Sequence, residues 1–430
     1  MKRRDFLQHA GAAAGAAFAL PFMTRESLAA SRNQPDLVIT EVEILRIGGP
    51  RTRTRGPTGQ HQVNPLHLYS DRRPQPFKEA PPREETYEAR HHYLRIRTKG
   101  GQEGLYGYVD AEALPTILGP LRRLLIGQDA FAVEKLWDQM YRSNRHARAG
   151  HFMMGISYCD NALWDLRARH LGVPVFRLLG GPTQPVRVYG SCLGFSIDPV
   201  AAGKRAAQLK KEGFIHQKWF FGYGPGDGQK GMDLNVALMR ELRAATGDEV
   251  EIGFDAYQGW DLNYAIQWCR KVEQYRPWFL EEAFPMVDLE SFIRLRQSVN
   301  VPVATGEHFY NRWEVEQFLK ADALHYVQAD PEWCGGISEV SKICTLASAH
   351  GVRVMPHCHN VHAALAIVAS QSPSVCPVGE FLINHVPEKQ WFLKDPLIAR
   401  DGLVQLSEKP GFGIELDAAK IEKTETLTSS

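Results

Sequence analysis

Short apolar runs recur along the second half of the chain, each separated from the next by a longer amphipathic stretch. Eight such runs stand out: "VRVYGS" (186–191), "FIHQKWFF" (214–221), "VEIGFDAY" (250–257), "PWFLEEA" (277–283), "VPVATGE" (301–307), "ALHYVQAD" (323–330), "VRVMPHC" (352–358) and "PVGEFLI" (377–383). Runs of this length suit buried strands, and stretches such as "NYAIQWCRKVEQY" and "ISEVSKICTLASAHG" carry helical spacing. Strands alternating with helices predict parallel βα units, and eight of them predict a closed (β/α)8-type barrel. A doubly wound open sheet is the runner-up, weakened because no Gly-x-Gly-x-x-Gly follows a strand.

The first half of the chain has a different rhythm. Residues 37–47 alternate as a strand, 91–110 read as a hairpin around Gly100-Gly101, and 115–172 turn helical. Between strand and hairpin, residues 48–85 are rich in Pro, Gly and Arg and read as a long loop, either a lid or a basic solvated segment. These elements predict an N-terminal α+β domain over residues 31–160, followed by the barrel over 161–400.

The extreme N-terminus belongs to neither. "MKRRDFLQHAGAAAGAAFALPFMTRESLAA" has a basic start, a short Ala/Gly-rich apolar stretch and small residues near Ala29 and Ala30. Its apolar run is short for a membrane span, and Arg3-Arg4 before Asp5-Phe6-Leu7 resembles a twin-arginine export signal, which predicts a periplasmic protein. Composition adds two exclusions. With 50 basic and 49 acidic residues the net charge is +1, so nucleic-acid binding is not the main business of the chain. Seven scattered cysteines without a C-x-x-C pair predict neither a disulfide framework nor a cysteine-ligated zinc.

The chemistry lies at the ends of the runs. Lys218 sits in the second, Asp255 ends the third, Glu281 or Glu282 the fourth, Glu307 the fifth, Asp330 the sixth and His357 the seventh, and Glu380 lies in the eighth. Positions 255, 281, 307, 330, 357 and 380 follow one another by 23 to 27 residues, about one βα unit each. They therefore converge on the barrel rim that carries active sites. Asp255, Glu281 and Glu307 form an all-oxygen set suited to one Mg²⁺ rather than zinc. Asp330 beside His357 is placed to fix the imidazole tautomer and raise its basicity, making His357 a general base facing the metal.

Lys, Asp, Glu, Glu, Asp and His in this order on successive strands resembles the enolase superfamily, mandelate racemase subgroup. "NALWDLRARHLGVPVFRLLGG" (161–181) is similar to the family's linker helix. "GYGPGDGQKG" (222–231), "TGEHFY" (305–310), "QADPEWCGG" (328–336), "MPHCHNVHAA" (355–364) and "KPGFGIEL" (409–416) are similar to L-rhamnonate dehydratases. The resemblance implies a modified (β/α)7β barrel, a C-terminal segment (401–430) returning to the capping domain, one Mg²⁺ and a homo-oligomer. It also implies a small sugar-acid substrate, with neither nucleic acid nor a membrane span once the signal is removed. Two departures accompany it: His216-Gln217-Lys218 replaces the usual Lys-x-Lys, and Glu281-Glu282-Ala283 replaces Glu-Glu-Pro.

The implied reaction is loss of the proton α to a carboxylate, then elimination of the 3-hydroxyl to give a 2-keto-3-deoxy acid. His357 takes the proton and returns it to the leaving hydroxyl. Lys218 neutralises the substrate carboxylate or serves its second face. Glu380 acts either as a protonated hydrogen-bond donor or as a structural carboxylate. His61, Arg53 and Arg55 on the 48–85 loop, with His216 and His308, are the substrate-binding candidates. Epimerisation and cycloisomerisation share the first step, and a catalytically silent sugar-acid-binding protein is the non-enzymatic alternative.

Overall fold

In the computed structural model, residues 36–55, 62–74 and 83–429 are described. The export signal and His61 lie outside these residues, as does the side chain of Arg55. Three antiparallel strands come first: β1 (Ile39–Arg55), β2 (Arg83–Thr98) and β3 (Glu103–Gly107). The β1–β2 ladder runs from Ile39↔Thr98 to Arg55↔Arg83. Much of the expected 48–85 loop is therefore strand: 48–55 pair with 83–90 in a two-stranded arm. The Pro/Gly/Arg-rich composition concealed an alternation of Thr, Arg and Glu that makes cross-strand pairs. The Thr52 and Thr86 hydroxyls lie 2.8 Å apart, and Arg53 lies 3.7 Å from Glu85.

A helix over Val133–Ser143 precedes the long helix Gly150–His170, which packs across β3. The approach is so close that a Cβ on Gly104 would meet the Ala162 carbonyl oxygen at 2.2 Å. Asp165 on this helix accepts the Leu105 N–H at 2.8 Å and the Phe412 N–H at 2.7 Å, tying β3 to the C-terminal segment.

All eight expected strands are present: β4 (Val186–Ser191), β5 (His216–Phe220), β6 (Glu251–Asp255), β7 (Phe279–Glu281), β8 (Val303–Thr305), β9 (Tyr326–Val327), β10 (Arg353–Val354) and β11 (Gly379–Leu382). They pair in parallel from β4 to β10, and β11 returns to pair with β4. Across the remaining seam the Val354 N–H donates to the Val375 carbonyl at 2.8 Å. Each of the first seven strands is followed by a helix of nine or more residues, from Pro199–Lys211 through Val361–Ser370. The eighth is followed by the single turn Val386–Lys389. A hairpin, β12 (Ala399–Arg400) and β13 (Leu403–Val404), extends the barrel sheet beside β4. The chain then crosses back, and β14 (Lys423–Leu427) pairs with β1. No helix among the described residues is long and apolar enough to cross a membrane.

Candidate active site

Strand pleating sorts the barrel interior into layers, because residues two apart on a strand share a face. Tyr189, Phe279, Ala304, Met355 and Val378 form a small apolar cluster of their own. Two positions further along the chain, the same faces carry Glu281 after Phe279, His357 after Met355 and Glu380 after Val378. Gly253, two before Asp255, leaves room for the Phe279 ring, which a Cβ there would meet at 2.5 Å. An apolar floor thus supports a charged layer at the C-terminal strand ends.

In that layer Asp255, Glu281 and Glu307 are buried, and one oxygen from each lies within 4.8 Å of the others. Lys218, 1% exposed, places Nζ 2.9 Å from Glu281 Oε1, 2.9 Å from Glu380 Oε1 and 3.7 Å from Asp255 Oδ2. Three carboxylates therefore crowd around one lysine. Burial pushes Glu281 up to about 8 and Asp255 and Glu307 up to about 7; Lys218 offsets part of the rise at Glu281 and Asp255, and His357 part of it at Glu307. Excess buried negative charge is what a hard divalent cation relieves, and every donor in the trio is an oxygen. Neighbours fix two of the carboxylates: Gln328 Nε2 donates to Glu281 Oε2 at 2.6 Å and the Tyr257 N–H donates to Asp255 Oδ1 at 2.7 Å. The trio fits such a cation.

A proton linkage follows. Protons held with pKa values near 7 to 8 must leave when the cation arrives. Cation affinity is therefore expected to rise steadily between about pH 6 and 8. Calorimetry in buffers of different ionisation heat should detect net proton release; a pH-independent affinity would contradict a site built from these residues.

The fourth strand's ambiguity resolves in favour of Glu281. Glu282 adopts φ +46° and its buried side chain lies on the other side of Glu307, grouped with Glu307 and His308 and with Oε1 2.8 Å from His308 Nδ1. Burial would lower His308, but the Glu282 charge and hydrogen bond carry it up to about 9. His308 is thus bound to Glu282 and Gln258 beside the trio.

Across from the cation position, Asp330 Oδ2 lies 2.5 Å from His357 Nδ1. Asp330 also accepts the Glu332 N–H at 2.6 Å and the His359 N–H at 2.8 Å, so its oxygens are occupied. Burial would raise Asp330, but the His357 hydrogen bond and charge hold it below the usual carboxylate range. Burial would lower His357, yet Glu307, Glu380 and Asp330 together raise it to about 10. Its free Nε2 lies 3.5 Å from Glu307 Oε2 and 3.6 Å from Glu380 Oε2. A cation on Glu307 weakens the first of those attractions and returns the ring toward neutrality.

Of the two roles open to Glu380, protonated donor or structural carboxylate, its surroundings match the second. Burial would raise it, but Lys218 and His357 hold it below the usual carboxylate range. Its Oε2 also accepts the Cys358 N–H at 3.3 Å. His216 is displaced from the substrate-binding set by depth: it opens β5 two residues before Lys218, and its ring lies 5.2 Å from Trp278 among the floor residues. Arg53 is held on the two-stranded arm, 2.7 Å from Glu388 Oε1, with its guanidinium 4.6 Å from the Tyr87 ring.

Between the trio and the dyad opens a pocket of about 160 Å³, lined by Lys218, Asp255, Glu307, His357 and Glu380 and, toward its mouth, by groups the sequence did not single out. Trp333 lies between His357 and His359, its ring centroid 5.0 and 4.9 Å from theirs. His359 Nε2 lies 2.8 Å from Asp110 Oδ1, which comes from the loop after β3. Lys389 Nζ lies 2.8 Å from His359 Nδ1. Trp333 and His359 fall inside noticed motifs, but Asp110, in a loop, and Lys389, ending the one-turn helix, carry no local signal.

A family model described as "Enolase C-terminal domain-like" matches residues 201–420. One described as "Mandelate racemase / muconate lactonizing enzyme, N-terminal domain" matches residues 68–180. The chain is 32% identical over 370 residues to the D-galactarolactone cycloisomerase of Agrobacterium fabrum, covering 82% of this chain and 95% of that protein. It is 32% identical over 306 residues to the L-rhamnonate dehydratase of Saccharopolyspora erythraea, covering 69% and 75%. Among solved structures, the rhamnonate dehydratase from Gibberella zeae complexed with Mg superposes with a TM-score of 0.75 at 24% identity, over 91% of this chain and 97% of that one.

Proposed function

Because the chain belongs to the mandelate racemase/muconate lactonizing enzyme family of the enolase superfamily, we propose that it is a Mg²⁺-dependent sugar-acid dehydratase, a hydro-lyase of the L-rhamnonate dehydratase type. The observation that carries the reading is the Asp330–His357 dyad, whose free Nε2 faces the cation-binding trio across the pocket.

Asp255, Glu281 and Glu307 would hold the metal. When bound, it supplies positive charge to the substrate carboxylate, making the α-proton more acidic. His357 Nε2 removes that proton while Asp330 keeps the proton on Nδ1 and stabilises the imidazolium. His357 then returns the proton to the 3-hydroxyl, which leaves as water from the same face. The enol that remains tautomerises to the 2-keto-3-deoxy acid. Lys218 and Glu380 hold each other beneath the reacting carbon and keep the local charge fixed. Trp333, against the His357 ring, blocks rotation of the base and excludes water from one side.

Similarity to a cycloisomerase over most of the chain favours one second reading, in which the same proton is removed but a lactone ring opens. A screen of aldonates, aldarates and their lactones in D2O separates the two. Deuterium exchange at the α-carbon with 2-keto-3-deoxy product supports dehydration. Ring opening without external lactonase favours cycloisomerisation, and no exchange with any sugar acid overturns both.

Export belongs to the same proposal: Arg3-Arg4 directs the folded protein to the periplasm. Replacing both arginines by lysine should leave the precursor in the cytoplasm in a fractionation experiment, and continued export would contradict this route.

A further inference from the structure

The mouth of the pocket carries unused hydrogen-bonding capacity that the elimination does not need. Lys389 ends the one-turn helix after β11 and lines the pocket. Its ammonium has three N–H groups. One meets His359 Nδ1 at 2.8 Å and one donates to the His359 carbonyl at 2.6 Å. The third is left for the cavity. No carboxylate among the described residues lies within ion-pair distance of Lys389: neighbouring Glu388 is turned to Arg53 at 2.7 Å, and Asp110 is separated from it by the His359 ring. Lys218, by contrast, is enclosed by three carboxylates.

Two more polar groups line the same pocket. His385 precedes Lys389 by one helical turn, with the Lys389 N–H donating to the His385 carbonyl at 3.0 Å, so both project from one side of that turn. His385 Nδ1 is buried and has no hydrogen-bond partner among the described residues. Gln62 is brought over the pocket by its neighbour Val63, whose N–H donates to the Phe221 carbonyl at 2.8 Å. Its Nε2 is likewise buried and unpartnered among the described residues. Both atoms belong to residues that line the same pocket as Lys389, where one ligand can satisfy them together.

An ammonium without a counterion, an amide N–H2 and an imidazole nitrogen make a set dominated by donors. A hydroxyl or methyl terminus does not use it fully. A carboxylate, which only accepts, does. We propose that Gln62, His385 and Lys389 form a subsite for a second carboxylate at the far end of the substrate, so that the preferred substrates are sugar diacids (aldarates). His359 is a positioning residue: Asp110 fixes its tautomer with Nε2–H as donor, which leaves Nδ1 free to accept from Lys389 and aim the ammonium.

This inference rests on the sugar-acid reading of the pocket, and the experiment separates the two. Hexarates and hexonates of matching configuration are assayed for kcat/KM and for α-proton exchange in D2O. The wild-type enzyme should prefer the diacid by about tenfold or more, mainly through KM, as one charge-assisted contact gives. Lys389→Met should collapse the diacid-to-monoacid ratio toward one, Lys389→Arg should retain part of it, and Gln62→Leu should lower it severalfold. Circular dichroism and Mg²⁺ calorimetry confirm that each variant is folded. Exchange with both acids at equal efficiency, or a ratio unchanged in Lys389→Met, overturns the subsite alone. No exchange with either acid overturns the sugar-acid reading and the subsite with it.

Discussion

Asp255→Asn is expected to weaken Mg²⁺ binding by about 100-fold or more while raising the melting temperature of the metal-free protein. Both effects have one cause. The trio is a buried set of anions with too few cations, so each carboxylate is destabilising until a metal arrives. A carboxylate whose folded pKa is raised to about 7 binds more protons in the folded state than in the unfolded state across the interval from about 4 to 7. Stability therefore falls as pH rises through that window, and the loss is complete above it. Asparagine removes the charge yet can still accept the Tyr257 N–H that Asp255 Oδ1 now takes at 2.7 Å. At pH 8 the metal-free variant should melt roughly 2–4 °C higher than the wild type, and at pH 5.5 the difference should shrink. Saturating Mg²⁺ should raise the wild-type melting temperature and leave the variant's nearly unchanged. Scanning calorimetry with and without Mg²⁺ at the two pH values checks all of this. A variant that melts lower at pH 8 and still responds to Mg²⁺ would move the metal elsewhere.

The sequence revealed the site better than its surroundings. Barrel strands announce themselves because their apolar runs are bounded by turns, and their spacing carries Asp255, Glu281, Glu307, Asp330 and His357 to one rim whatever the loops do. The choice between Glu281 and Glu282 was illegible, since it turns on a single left-handed φ at Glu282. Depth within the barrel was illegible too. His216 shares the face of Lys218 but lies two residues lower, which only the parallel register with Glu251 at the start of β6 reveals. The two-stranded arm was hidden because exposed strands built from Arg, Thr and Glu lack the apolar alternation that marks a half-buried strand. The pocket mouth is assembled from Gln62, Asp110, His359 and Lys389, residues far apart in sequence that a linear pattern cannot join.

The larger effect on turnover belongs to the dyad. Asp330→Asn is expected to lower kcat by about 10²–10⁴-fold with little change in Mg²⁺ affinity. Its carboxylate touches His357, Glu332 and His359 but none of Asp255, Glu281 and Glu307. An amide oxygen can keep the Glu332 N–H that Oδ1 now accepts but gives up the His359 N–H on Oδ2, so the loop after β9 should keep its shape near Glu332 and loosen at His359. It cannot supply the negative charge that stabilises the imidazolium, and it can present an N–H to Nδ1 and so select the wrong tautomer. The base in the variant should therefore titrate lower, moving the acidic limb of the rate–pH profile to lower pH. A fall in Mg²⁺ affinity parallel to the fall in rate would make Asp330 a ligand instead of a partner to the base.

His357 as the group that removes the α-proton is the claim on which the rest depends. Its most direct test is deuterium incorporation at the α-carbon of a sugar acid in D2O, followed by NMR for Mg²⁺-loaded wild type and His357→Asn side by side. The account predicts exchange in the wild type and none above background in the variant, with equal Mg²⁺ occupancy in both. Exchange that persists in His357→Asn would contradict it and assign the proton to another residue of the pocket.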